Sequence, residues 1–228
     1  LHTIITQTAD CFAYGTLIET PAGPAAVEAL AVGDHVLAHD GDAGGALAPQ
    51  PIIWIGRRTY ICASHPDPTT VWPVRIRAGA LGRDLPRRDL FLSSLHGVFL
   101  QGVLIPVILL INHRSIAQIP VDRVAYFHIE LPAHAIILAE GVEAESYLNT
   151  DARGTFAETN PSARRSSDFV AHLWEAAGCA RLVLCGPELA AARKLLAPPG
   201  PPAAERGDVL RPGNPRRLGQ KAKAGAVL

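Results

Sequence analysis

Short apolar runs recur from position 10 to position 150, and each is broken by Gly, Pro or Asp. The runs are too short and too often interrupted for packed helices. They suit strands that turn back on their neighbours. The pattern predicts strands near 16–20, 34–38, 51–55, 71–77, 89–92, 97–101, 103–110, 121–131 and 134–140. Gln101-Gly102, between GVFL and VLIP, has the character of a tight hairpin connection. Pro132-Ala133 is expected to turn the last hairpin. HDGDAGGALAPQ (39–50) reads as a turn or loop, and VEALAVGD (27–34) as a short helical turn stopped by Gly33. The fold class expected for residues 10–150 is all-β.

The pattern changes after Thr150. SSDFVAHLWEAAGC (166–179) opens on capping residues and then places apolar side chains at helical spacing. PELAAARKLLA (187–197) begins with Pro187 and reads as a second helix, and ARLVLCG (180–186) between them reads as one strand. Residues 151–197 are therefore expected to form a small α/β appendage. From Pro198 onward the Pro/Gly-rich composition predicts a disordered tail, 198–228.

Composition narrows the function classes. A chain of 228 residues, 48% hydrophobic, can bury one sizeable core. Lys+Arg and Asp+Glu both number 21, which argues against a nucleic-acid surface. Aromatic residues, at 6%, are too few for base-stacking platforms. The most apolar run, VLIPVILLI (103–111), contains Pro106 and is about half the length of a membrane span. Residues 1–12 lack the basic start and long apolar core of a signal peptide. The chain opens on Leu1 and contains no Met, so residues 1–10 are expected to end an upstream segment. Cys11, Cys62, Cys179 and Cys185 show no CxxC or Cys/His ligand spacing, so no metal, cofactor or disulfide framework is expected.

Three stretches carry residues capable of chemistry. CFAYGTLIET opens on Cys11; LFLSSLHGVFL (90–100) holds Ser93 and His96; DRVAYFHIELPAHAIILAEGVEAESY (122–147) holds His128 and His134. On a straight strand, residues three apart face opposite ways. Ser93 and His96 can cooperate only if the chain turns between them, and Ser94 and Gly97 allow that turn. A hydroxyl and an imidazole on one tight turn can both reach a single peptide bond. Each residue also has a plainer reading. Cys11 and Cys62 can be small buried hydrophobes, Ser93 a turn residue, and the histidines packed side chains. Trp54 and Trp72 read as core.

Taken together, these stretches resemble the Hint domain, the self-processing module shared by inteins and the C-terminal part of Hedgehog proteins. The resemblance is strongest to the bacterial branch outside true inteins. It rests on Cys11, Gly15-Thr16, Ile18, Thr20, Val32-Gly33-Asp34, Val36-Leu37, Trp54-Ile55-Gly56 and the Ser93/His96 turn, and covers roughly residues 10–150. It implies a horseshoe of short strands with pseudo-two-fold symmetry. It also implies an N-to-S acyl shift, in which Cys11 attacks the carbonyl of Asp10 and forms a thioester. His96 would serve the departing nitrogen, and Ser93 with backbone N–H groups the oxyanion. His128 stands where the family often carries a carboxylate, as a second proton-handling group or a packed histidine. The His-Asn pair that ends true inteins falls at Glu145-Ser146, and neither residue can cyclise as Asn does. Asn149 lies three residues later, after Leu148. The expected activity is single-turnover cleavage of the chain's own upstream segment, with water, a thiol or an amine as the attacking group and without full splicing. The alternative is a non-catalytic β-module serving a larger, secreted protein.

Overall fold

The computed structural model describes residues 10–39, 45–149, 174 and 176–196. Among the described residues, fourteen strands lie between Phe12 and Glu145. They are β1 (Phe12–Ala13), β2 (Leu17–Thr20), β3 (Gly23–Ala26), β4 (His35–His39), β5 (Leu47–Pro51), β6 (Trp54–Ile61) and β7 (Val74–Ile76). Then follow β8 (Leu90–Leu92), β9 (Gly97–Leu100), β10 (Val103–Pro106), β11 (Ile116–Gln118), β12 (Arg123–Glu130), β13 (Ile136–Ala139) and β14 (Val142–Glu145). One sheet runs β11-β7-β8-β1-β12-β6. The other runs β10-β9-β14-β13-β2-β3, with β4 pairing β13 and β5. The strand pairings within both sheets are antiparallel. The all-β reading of residues 10–150 therefore holds.

Both sheets turn a face to one core. Phe12, Ile76, Leu92, Phe127 and Ile129 from the first meet Ile18, Val36, Val98, Ile105 and Ile137 from the second. Because side chains alternate along a strand, the other face of β1 and β12 builds a smaller cluster. It contains Cys11, Ala13, Val124 and Tyr126 with Cys62 and Val71.

The tight connections follow local chemistry. Gln101 (φ 52°) and Gly102 (φ 83°) close the β9–β10 hairpin, as expected. Glu140 (φ 51°) and Gly141 (φ 82°) close β13–β14 in the same way. Other expectations need correction. Pro132-Ala133 turns no hairpin: β12 pairs with β1 and β6, whereas β13 pairs with β14, β2 and β4, so the chain there crosses between sheets. The strand expected over 103–110 stops at Pro106 and coils into a 3-10 turn, Val107–Leu110. β5 lies partly inside the stretch read as a loop. Its two prolines are tolerated because it pairs with β4 alone, at an edge.

The C-terminal segment packs on the β domain. Leu182 forms a single parallel bridge to Leu104, in place of the strand expected over 180–186. Helix α1 (Pro187–Leu195) buries Leu189 and Ala192, which join Val183 and Leu196 in the main core. The helix expected over 166–179 falls largely outside the described residues, and the tail 198–228 wholly so. No helix among the described residues is long and apolar enough to cross a membrane.

Candidate active site

Strand register assembles the site. Phe12 on β1 lies opposite Leu92 on β8 and opposite Phe127 on β12. One step back along β1, an antiparallel register sets Cys11 beside Ser93 on one flank and His128 on the other. The contacts follow. The Cys11 amide donates to Ser93 Oγ at 2.9 Å, and the Ser93 amide donates to the Cys11 carbonyl at 3.0 Å. His128 Nε2 meets Cys11 Sγ at 2.6 Å.

The chain turns after Ser93, as cooperation with His96 requires: the His96 amide donates to the Ser93 carbonyl at 3.1 Å. That turn folds the His96 ring edge-on against Phe12, with centroids 4.4 Å apart, and faces it to backbone groups of Cys11 and Glu145. The His128 ring reaches the Asp10 backbone as well as the thiol, and stands edge-on to Tyr147 at 5.2 Å. Trp54, read as core, lies beside both, 5.3 Å from Tyr147 and 6.5 Å from His128.

The Ser93 hydroxyl accepts from the Cys11 N–H, across a trans amide from the Asp10 carbonyl oxygen, so this contact lies on the nitrogen side of the bond. His128 occupies the carbonyl side.

Burial governs the charges. Loss of water pushes the Cys11 thiol well up, and the Asp10 carboxyl adds to this; Ser93 and Arg58 pull the other way. Loss of water also holds His96 and His128 down at about 3. At neutral pH a neutral thiol therefore faces a neutral imidazole, and burial opposes the ion pair that a proton transfer between them would make.

A second group of residues, which the sequence reading named singly but did not bring together, lies beside the first. Asp10 is half-buried as a residue, but its carboxyl is withdrawn from water and hydrogen-bonds the Glu145 side chain. Burial, then the neighbouring Glu145, raise it well above the usual carboxylate range. Burial likewise raises Glu145 to about 7. Glu145 Oε1 accepts from the Gly97 amide, and Oε2 lies 3.4 Å from His134 Nε2. His134 Nδ1 accepts from the Cys179 amide at 3.0 Å. A Cβ on residue 97 would sit 2.6 Å from Glu145 Oε1, so Gly97 makes room for this carboxyl. The available signal was a glutamate ending the alternating strand VEAE, whose position falls on the core side. Among the described residues, no group of three or more His, Cys, Asp or Glu is placed to hold a metal ion.

A family model described as the Hint domain matches residues 10–151. The chain belongs to the Hint domain family. A Hint domain is a self-processing module that acts on its own chain, and the match spans Cys11, Ser93, His96 and His128. Solved structures with a similar chain path include a bacterial intein-like domain from Clostridium thermocellum. It is 12% identical with a TM-score of 0.41, and the similarity covers 62% of this chain and all of that one. Another is a DnaB intein from Synechocystis sp. PCC 6803, 8% identical with a TM-score of 0.42, covering 61% of this chain and all of that one. No curated protein sequence matches the chain.

Proposed function

We propose that this Hint domain cuts the Asp10–Cys11 bond of its own chain through a thioester. The Cys11 thiol gives its proton to His128, and the thiolate attacks the Asp10 carbonyl carbon. The protonated His128 then hydrogen-bonds the developing oxyanion. Ser93 holds the amide nitrogen in line, and His96, facing the Cys11 backbone, serves that nitrogen as it departs. Loss of the C–N bond, with the proton taken from the thiol ending on the departing nitrogen, leaves Asp10 acylated on sulfur, Cys11 with a free amine and both imidazoles neutral. Water, a thiol or an amine then takes the acyl group. Nucleophile and carbonyl belong to adjacent residues, so the attack is intramolecular and needs no open pocket for a substrate. That fits a thiol only 3% exposed.

The observation that carries this reading is the contact of Cys11 Sγ with His128, on the flank opposite Ser93. Cleavage without splicing is supported by the residues at the family's terminal pair. Glu145 and Ser146 cannot cyclise as Asn does, and the Ser146 hydroxyl is engaged by the Ala135 amide at 3.0 Å. The test is release of a tag placed before Leu1, followed on a gel with and without dithiothreitol. Wild type is expected to release the tag, faster with thiol, and Cys11→Ala to release none. Release that survives Cys11→Ala overturns the assignment.

A further inference from the structure

Glu145 has no part in the acyl shift, yet it is 1% exposed and touches the side chain on the acyl side of the bond. We propose that Glu145 and His134 form a recognition subsite for the side chain of residue 10, so that processing is selective for an upstream segment ending in Asp. This rests on cleavage at Asp10–Cys11. The position where splicing relatives would carry their downstream-cutting pair is thereby turned to reading the upstream end.

The argument is one of satisfaction. Glu145 Oε1 is taken by the Gly97 amide, while Oε2 and His134 Nε2 stand 3.4 Å apart without a full hydrogen bond to each other. The partner available to the second oxygen is the Asp10 carboxyl. Two buried carboxyls in contact must share a proton, since both cannot ionise together without charge to offset them. An apolar residue at position 10 leaves Glu145 desolvated and unpartnered, a basic one does not fit the imidazole beside it, and glycine leaves the space empty. The carboxyl of Asp10 is matched on each count. Gly97 has no Cβ where one would strike Glu145, and Cys179 fixes His134 from behind through Nδ1.

The test uses the full chain with an upstream tag, and reads the rate of thiol-induced release. Asp10→Leu and Glu145→Leu are each expected to slow release roughly 10- to 100-fold, because each leaves a buried polar group unpaired. The double Leu variant is expected to recover most of that loss, because both partners are then apolar. Asp10→Leu releasing at the wild-type rate, or a double variant as slow as the two losses multiplied, overturns the proposal. Should the Leu variants not fold, Glu145→Gln decides by its pH profile. The titratable groups facing Glu145 are Asp10 ahead of β1, His134 ahead of β13, His96 ahead of β9 and Cys179 of the C-terminal segment. The rate ratio of wild type to Glu145→Gln is expected to rise as pH rises through about 7, where Glu145 ionises and the pair comes to share the one proton that Asp10 keeps; a flat ratio overturns the proposal. Absence of release from wild type overturns the self-processing reading and this one with it. Release from wild type and Asp10→Leu alike overturns only this one.

Discussion

At the scale of the residue, the site is a peptide bond held from two sides. Ser93 fixes the nitrogen of Cys11, and His128 meets its sulfur and reaches the backbone of Asp10. Removing the proton acceptor should cost more than removing the nitrogen's hydrogen bond. His128→Ala is expected to slow thiol-induced release roughly 10²–10⁴-fold, the range of a positioned acid–base group. Ser93→Ala is expected to slow it about 10-fold, for one hydrogen bond at the leaving group. A time course of tag release ranks the two, and Ser93→Ala proving the slower would reverse these roles. That Cys11, Ser93, His96 and His128 lie close together was legible in the sequence, because each is a reactive side chain at family spacing. The sides they take were not legible. Only the pairing of Phe12 with Leu92 and Phe127 shows which flank each residue holds. Glu145 was read as the place of a missing pair, since a buried carboxyl is recognised by its partner Asp10, 135 positions away in the chain numbering.

At the scale of the element, short strands are set by their neighbours more than by their own composition. β1 has two residues and β3 reads GPAA; neither carries a period long enough to recognise. β14 was missed because Glu140-Gly141 was not read as a turn, so VEAE was left without its partner β13. The hairpin at Gln101-Gly102 was legible because its two flanking runs are apolar and equal. Two elements make predictions here. Gly97→Ala opens β9 with a Cβ 2.6 Å from Glu145 Oε1 and 3.2 Å from Leu104 Cδ2. Such overpacking costs about 1–3 kcal/mol, so a lower urea midpoint is expected. In α1, Leu189 is 6% exposed and shares the main core. Leu189→Ala is expected to cost about 2–5 kcal/mol in urea unfolding. An unchanged midpoint would show that the helix does not contribute to the core of the β domain.

At the scale of the molecule, one core joins both sheets to the C-terminal helix, and buried histidines tie its stability to pH. His96 and His128 are held at about 3 and His134 at about 4, all by loss of water. The unfolded chain protonates them near their ordinary values, about 6.5. Their contribution is therefore complete above about 6.5 and is lost as pH falls toward 3. Asp10 and Glu145, raised by burial, act the opposite way over the upper part of that window, since the folded chain there binds protons the unfolded chain does not. Three histidines outweigh two acids, so the melting temperature is expected to fall steadily from pH 6.5 to pH 4; a constant value would contradict the burial of these rings. The central claim, a thioester at Cys11, is tested most directly by the mass of the small fragment released by dithiothreitol. The account predicts a segment ending at Asp10 and carrying one dithiothreitol as a thioester on its terminal carbonyl, beside a large fragment whose first residue is Cys11. A small fragment found only with a plain carboxyl terminus while thiol accelerates nothing, or a cut at any other bond, contradicts it.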